Sequence, residues 1–149
     1  MSQPSTQEQR NLELVHHWKE LYNTPGMVDR IIDEVYADEC EVFAPLYRMY
    51  FVKRGQSKEL WRSFEKEVEK GLQSRKMEIK SIVAQGDTVA LEAVVRMKTK
   101  DGKRYKSAIS AFLTFENGRI VTDHTYMSIR NTPPPTESVK KIFDQIFPQ

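Results

Sequence analysis

Residues Gly86 to Ser128 read as a three-stranded antiparallel meander with both of its turns written into the chain. DTVALEAVVRMK alternates in period two, DGK supplies a tight turn, YKSAISAFLTF alternates again, ENG turns the chain, and RIVTDHTYMS runs back. Both faces of these strands carry apolar side chains: Leu91 and Val95 lie on one, Val94 on the other. A sheet with one solvated face alternates apolar with polar, so two apolar faces mean that one side is covered by packing while the other lines a cavity.

Helices precede this sheet. Leu12, Val15, Trp18, Leu21 and Tyr22 recur at helical spacing from Thr6 to Tyr22, and Asn23-Thr24-Pro25-Gly26 stops that helix. Val28, Ile31, Ile32 and Val35 predict a second helix over Met27 to Tyr36. Glu41 to Phe43 reads as a short strand running into Pro45. Ser57 can cap a third helix that buries Leu60, Trp61, Phe64, Val68 and Leu72. Arg75 to Ala84 is the first long strand. After the meander, Asn131 to Pro135 is a stiff connector, and Val139, Ile142, Phe143 and Ile146 form the apolar stripe of a final helix from Thr136 to Phe147. The 149 residues suit one domain, with an ordered core over residues 6–130 and the connector and last helix over 131–149. The order predicts an α+β fold: a cone-shaped, curved antiparallel sheet packed on three N-terminal helices, plus a C-terminal helix.

Lys and Arg number 23 against 21 Asp and Glu, an excess too small to imply nucleic acid or an anionic membrane as partner. The basic runs Lys98 to Lys106 and Arg48 to Lys58 read as solvated surface. Cys40 is the single cysteine, which excludes an internal disulfide and fits a reducing, cytoplasmic setting. No run approaches the ~20 apolar residues of a membrane span, and the N-terminus has no apolar signal region. HExxH, CxxC and nucleotide-loop motifs are absent, so neither cofactor nor metal is implied.

The run YADECEVFAP, Gly55 leading into SKELWRSFEKEV, then GDTVALEAVV, DGKR and FLTFENGRIV resemble the SnoaL-like branch of the nuclear transport factor two-like superfamily. The resemblance covers Leu12 to Met127 and implies that superfamily's α+β barrel, shared with polyketide cyclases, ketosteroid isomerase and limonene-epoxide hydrolase. It implies no mechanism. The ketosteroid isomerase catalytic positions fall on Trp18, Ala44 and Ala111, which cannot do that work, and those of limonene-epoxide hydrolase fall on Glu92, Val94 and Thr125.

Register arithmetic suggests another site. A two-residue Asp101-Gly102 turn sets Glu92 opposite Ala111, and a three-residue Glu116-Asn117-Gly118 turn sets Ala111 opposite Asp123. Glu92 and Asp123 would then face each other over a methyl group, on backbones about 10 Å apart, as an acid–base pair. A two-residue Asn117-Gly118 turn instead puts Asp123 on the face of Phe112, and Glu92 can also pair with Arg96. The resemblance favours the three-residue turn.

Trp18, Tyr22, Val94, Arg96, Ile109, Thr125 and Met127 are the expected substrate-binding residues around that pair. Core packing alone also accounts for Trp18 and Tyr22. His124, Tyr126, Phe112 and Leu91 are expected on the outer face, as a homodimer interface. Two functions remain open: an enzyme that acts without cofactor on a small apolar metabolite by isomerisation, cyclisation, dehydration or epoxide opening, and a non-catalytic ligand-binding or dimerisation module using the same cup.

Overall fold

The computed structural model describes residues 3, 5–44 and 49–146. Pro45, Arg48 and Phe147, on which parts of the sequence reading fall, lie outside them.

Helix α1 (Thr6–Tyr22) begins with a capping box: the Glu8 amide donates to Ser5 Oγ at 3.2 Å, and the Ser5 amide donates to Glu8 Oε1 at 2.7 Å. Such a cap satisfies orphan N–H groups of the first turn and contributes about 1 kcal/mol. Glu8 Oε2 accepts from the Gly86 amide at 2.8 Å, so the same residue holds a turn of the sheet. At the other end, Asn23 pairs with Met77 as a neighbouring strand would, donating from Nδ2 to the Met77 carbonyl (3.0 Å) and accepting the Met77 amide (2.7 Å). Val15, Trp18 and Leu21 are thereby pressed into the core.

Where the apolar spacing predicts one helix from Met27 to Tyr36, the chain makes a short α2 (Val28–Arg30) and then a π turn (Ile31–Val35). The wider turn buries Ile31, Ile32 and Val35 together and releases Tyr36 as the first residue of β1 (Tyr36–Ala44). Lys58 Nζ braces this break by donating to the carbonyls of Ile32 and Ala37 at 3.0 and 3.1 Å. Helix α3 (Glu59–Lys70) is tied to it through Arg62, which reaches Asp29 and Asp33 at 2.7 Å each.

The remaining strands are β2 (Met49–Val52), β3 (Leu72–Gln85), β4 (Thr88–Thr99), β5 (Arg104–Glu116) and β6 (Arg119–Met127). They form one curved six-stranded sheet in the order β2-β1-β6-β5-β4-β3, antiparallel except between β1 and β6. The segment predicted as a short strand, Glu41 to Phe43, is thus part of the C-terminal half of β1, and β2 has no counterpart in the sequence reading. Irregular steps in the register of β3 and β6, each adding a residue to one strand, bend the sheet around the helices.

The two hairpin turns exchange the lengths that the sequence suggests. Between β4 and β5 the Thr99 amide donates to the Lys103 carbonyl at 2.9 Å, leaving a three-residue loop over 100–102 with Gly102 at φ +90°. That one-residue difference pairs Leu91 with Ala111 and Glu92 with Ser110. A slip of one residue turns every side chain to the other face. Leu91 and Val95 therefore point into the core, while Glu92, Val94 and Arg96 lie on the outer face, with Glu92 and Arg96 exposed.

Between β5 and β6, Asn117 (φ +50°) and Gly118 (φ +76°) form a two-residue turn with Glu116 opposite Arg119. By itself this turn would aim Asp123 outward. An extra residue, Val121, bulges from β6 and restores the face, so Asp123 pairs with Leu113 and Ala111 with Thr125. Helix α4 (Glu137–Ile146) folds back onto α3, with the Phe143 ring 6.0 Å from Phe64 and 6.4 Å from Phe51. No described helix is long and apolar enough to cross a membrane.

Candidate functional site

The inner face of the sheet, α1 and α3 enclose a cavity of about 870 Å³, bordered by residues 132–136 and α4. Its size falls within the range of sites that hold small organic molecules. Trp18, Tyr22, Ile109, Asp123, Thr125 and Met127 line it. Glu92, Val94 and Arg96 do not: the three-residue β4–β5 loop turns them to the outer surface. Arg96 there meets Glu78 at 3.3 Å, not Glu92. The Glu92–Asp123 pair is therefore overturned, because its members stand on opposite faces of the sheet. A broader depression of about 1210 Å³ runs outside β3, β4 and β5, but exposed Lys76, Glu78 and Lys106 border it, and it is open surface rather than an enclosure.

Asp123 is 4% exposed. Tyr36 Oη donates to its Oδ2 and Thr125 Oγ1 to its Oδ1, each at 2.5 Å. Burial pushes the Asp123 carboxyl above the usual aspartate range, and the two hydroxyl donors pull partly against that rise. Burial, and then the neighbouring carboxylate, raise the Tyr36 phenol well above an ordinary tyrosine, so Tyr36 stays a donor. The Tyr36 ring is in turn fixed edge-on against Trp61, centroid to centroid 4.8 Å. These contacts fix the orientation of the carboxyl group.

A second interior carboxyl comes from α3. Trp61 Nε1 donates to Glu65 Oε1 at 3.2 Å, and Glu65 lines the cavity. Burial raises the Glu65 carboxyl most; Arg75 and the indole donor oppose the rise, and the charge of Asp123 adds to it. Burial thus raises both interior carboxyls, and the charge of Asp123 adds to the rise at Glu65. Such a pair can hold one proton and accept another.

Arg75, on β3, closes another side. Its guanidinium carbon lies 4.0 Å from the Tyr22 ring centroid, and Nε donates to the Tyr22 carbonyl at 3.0 Å. Burial pushes the Tyr22 phenol up to about 12, although the positive charge beside it works the other way.

Tyr36, Glu65 and Arg75 escaped the sequence reading. Glu65 carries a legible signal: four residues after Trp61 and three before Val68, it interrupts the apolar stripe of α3 with a carboxylate. Tyr36 looks like the last apolar residue of a helix, and nothing around Arg75 distinguishes it from a solvated strand residue. On the outer face His124 meets Glu41 at 2.7 Å. Cys40 lies in the core, its thiol pushed up by that burial. Among the described residues no group of three or more His, Cys, Asp or Glu is gathered as a metal would need.

A model of the SnoaL-like domain matches residues 15–122. No curated protein sequence matches the chain. Solved structures share the fold at low identity. A candidate SnoaL-like polyketide cyclase from Jannaschia sp. CCS1 superposes with a TM-score of 0.72 at 13% identity, over 91% of this chain and 100% of that one. A candidate polyketide cyclase from Acidithiobacillus ferrooxidans gives 0.69 at 15%, over 98% and 99%. AclR from Streptomyces galilaeus, described as a candidate hydroxylase, gives 0.67 at 17%, over 93% and 92%.

Proposed function

The chain belongs to the SnoaL-like domain family, and from that premise we propose that its cavity takes up a small, largely apolar organic molecule on which Asp123 and Glu65 carry acid–base chemistry. The observation that carries this reading is the Asp123 carboxyl, buried in the cavity wall and oriented by Tyr36 and Thr125. Burial raises its basicity, so it can take a proton from an acidified C–H or O–H, while Glu65, also raised, can hold the proton to be returned. Isomerisation, cyclisation and dehydration proceed by such transfers, and epoxide opening adds a water or substrate hydroxyl that attacks carbon as the base takes its proton and the acid protonates the epoxide oxygen. The polyketide cyclases among the structural neighbours support a carbon skeleton of this kind as ligand.

The test needs no native substrate. Cyclic aryl ketones such as 2-tetralone exchange their acidic C–H protons with D₂O, and NMR follows the rate. The wild-type protein is expected to accelerate exchange, with Asp123→Asn losing about 10²–10⁴-fold of that acceleration. Equal rates in the two proteins would remove the chemistry.

A non-catalytic binding cup is the second reading, favoured by Trp18, Ala44 and Ala111 at the positions where ketosteroid isomerase carries its catalytic groups. Equal exchange rates would leave that reading in place. Assembly is proposed as a homodimer through the outer face of the meander, where Phe112 is 51% and Tyr126 43% exposed, their rings 6.0 Å apart. A reducing, cytoplasmic setting is proposed from the presence of a single cysteine, Cys40.

A further inference from the structure

Arg75 is a cation built into the cavity wall, its side chain only 7% exposed. A guanidinium carries five N–H donors. The Tyr22 carbonyl takes Nε, and Glu69 lies at a long 3.4 Å from Nη2. Among the described residues no hydrogen bond falls on Nη1. The guanidinium carbon lies over the Tyr22 ring, and the Tyr22 hydroxyl likewise has no hydrogen bond among the described residues.

We propose that the ligand is an organic acid, an apolar ring system whose carboxylate is received by Arg75. The proposal rests on the cavity reading above and adds the polar end of the ligand. A carboxylate presents two oxygens at the spacing of a guanidinium edge, so it can bind in two parallel hydrogen bonds that a lone carbonyl cannot match. The apolar body has Trp18, Phe64 and Ile109 to lie against.

Charge balance points the same way. Among the described residues Glu69 is the carboxylate paired with Arg75, and it meets the guanidinium only at 3.4 Å from a partly exposed position. An anion brought in by the ligand adds a closer partner, which a neutral ligand cannot supply. Glu65 feels both Arg75 and Asp123, so a ligand held at Arg75 lies within the electrostatic reach of the acid–base pair.

Calorimetric titration of the full chain at pH 7.5 with 2-naphthoate and with its neutral counterpart 2-naphthamide tests this. The wild-type protein should bind the acid about tenfold or more tighter than the amide, as a charge-assisted pair of hydrogen bonds requires. Arg75→Gln should remove that preference while keeping the amide affinity, and Arg75→Lys should restore part of it. An amide that binds wild type as tightly as the acid, or a preference that survives in Arg75→Gln, overturns the proposal and leaves the cavity reading standing. If neither probe binds, both fall. The wild-type comparison decides by itself should Arg75→Gln fail to fold.

Discussion

Tyr36→Phe removes one oxygen atom and nothing else, yet it should act differently at the two ends of the pH scale. Tyr36 Oη donates to Asp123 Oδ2 at 2.5 Å, and both residues are buried. A hydrogen bond between neutral groups contributes about 0.5–1.5 kcal/mol, and one to a charged group about 1.5–3 kcal/mol. Because burial raises the folded-state value of Asp123, folding favours its protonated form. Wild-type stability from this group is full below the unfolded aspartate value of about 3.9 and declines as pH rises through the folded value. Without the phenol the carboxylate costs more, so the decline should steepen. Urea denaturation of wild type and variant at pH 4.5 and at pH 9 measures this. The destabilisation should grow from about 0.5–1.5 kcal/mol at the acid end to about 1.5–3 kcal/mol at the alkaline end. A difference that is equal at both ends would refute the assignment of Tyr36 as the donor that supports a titrating Asp123.

Asp123→Asn should abolish most of that alkaline decline, since an amide does not titrate; an unchanged pH profile in denaturation would place the titrating group elsewhere. Glu92→Gln should leave stability within about 0.5 kcal/mol and the exchange of ketone protons unchanged, because Glu92 is exposed on the far face of the sheet. Truncation after Arg130 uncovers the surface that Val139 and Phe143 occupy. Losing about 3 kcal/mol of apolar burial should lower the Tm by roughly 6–12 °C by calorimetry, and an unaltered melt would contradict the packing. Sedimentation of wild type at micromolar concentration should show a dimer, and Phe112→Ser with Tyr126→Ser a monomer; a wild-type monomer would end the homodimer proposal.

The sequence alone determined the order of elements and the ends of many of them. The bounds of α1, the three long meander strands and both glycine turns are local properties, written in apolar spacing, a capping box and residues that tolerate positive φ. It also marked Glu65, a carboxylate in the apolar stripe of α3. It marked the inner face of β4 too, since Val89, Leu91, Ala93, Val95 and Met97 are all apolar while Glu92, Arg96 and Lys98 share the other face with Ala90 and Val94. What it left open was the length of the loop to β5. The register hangs on that length, and one residue of it, 100–102 instead of Asp101-Gly102, moved Glu92 out of the cavity. Asp123 faces inward by a different route from the one its spacing suggests, through a two-residue turn corrected by the Val121 bulge. The partners that give Asp123 its character come from far along the chain, Tyr36 at a separation of 87 residues and Glu65 on a helix. Their meeting follows from the π turn that ends the second helix early and from the packing of α3 over the sheet. Those are consequences of how the elements fit together, and no local pattern encodes them.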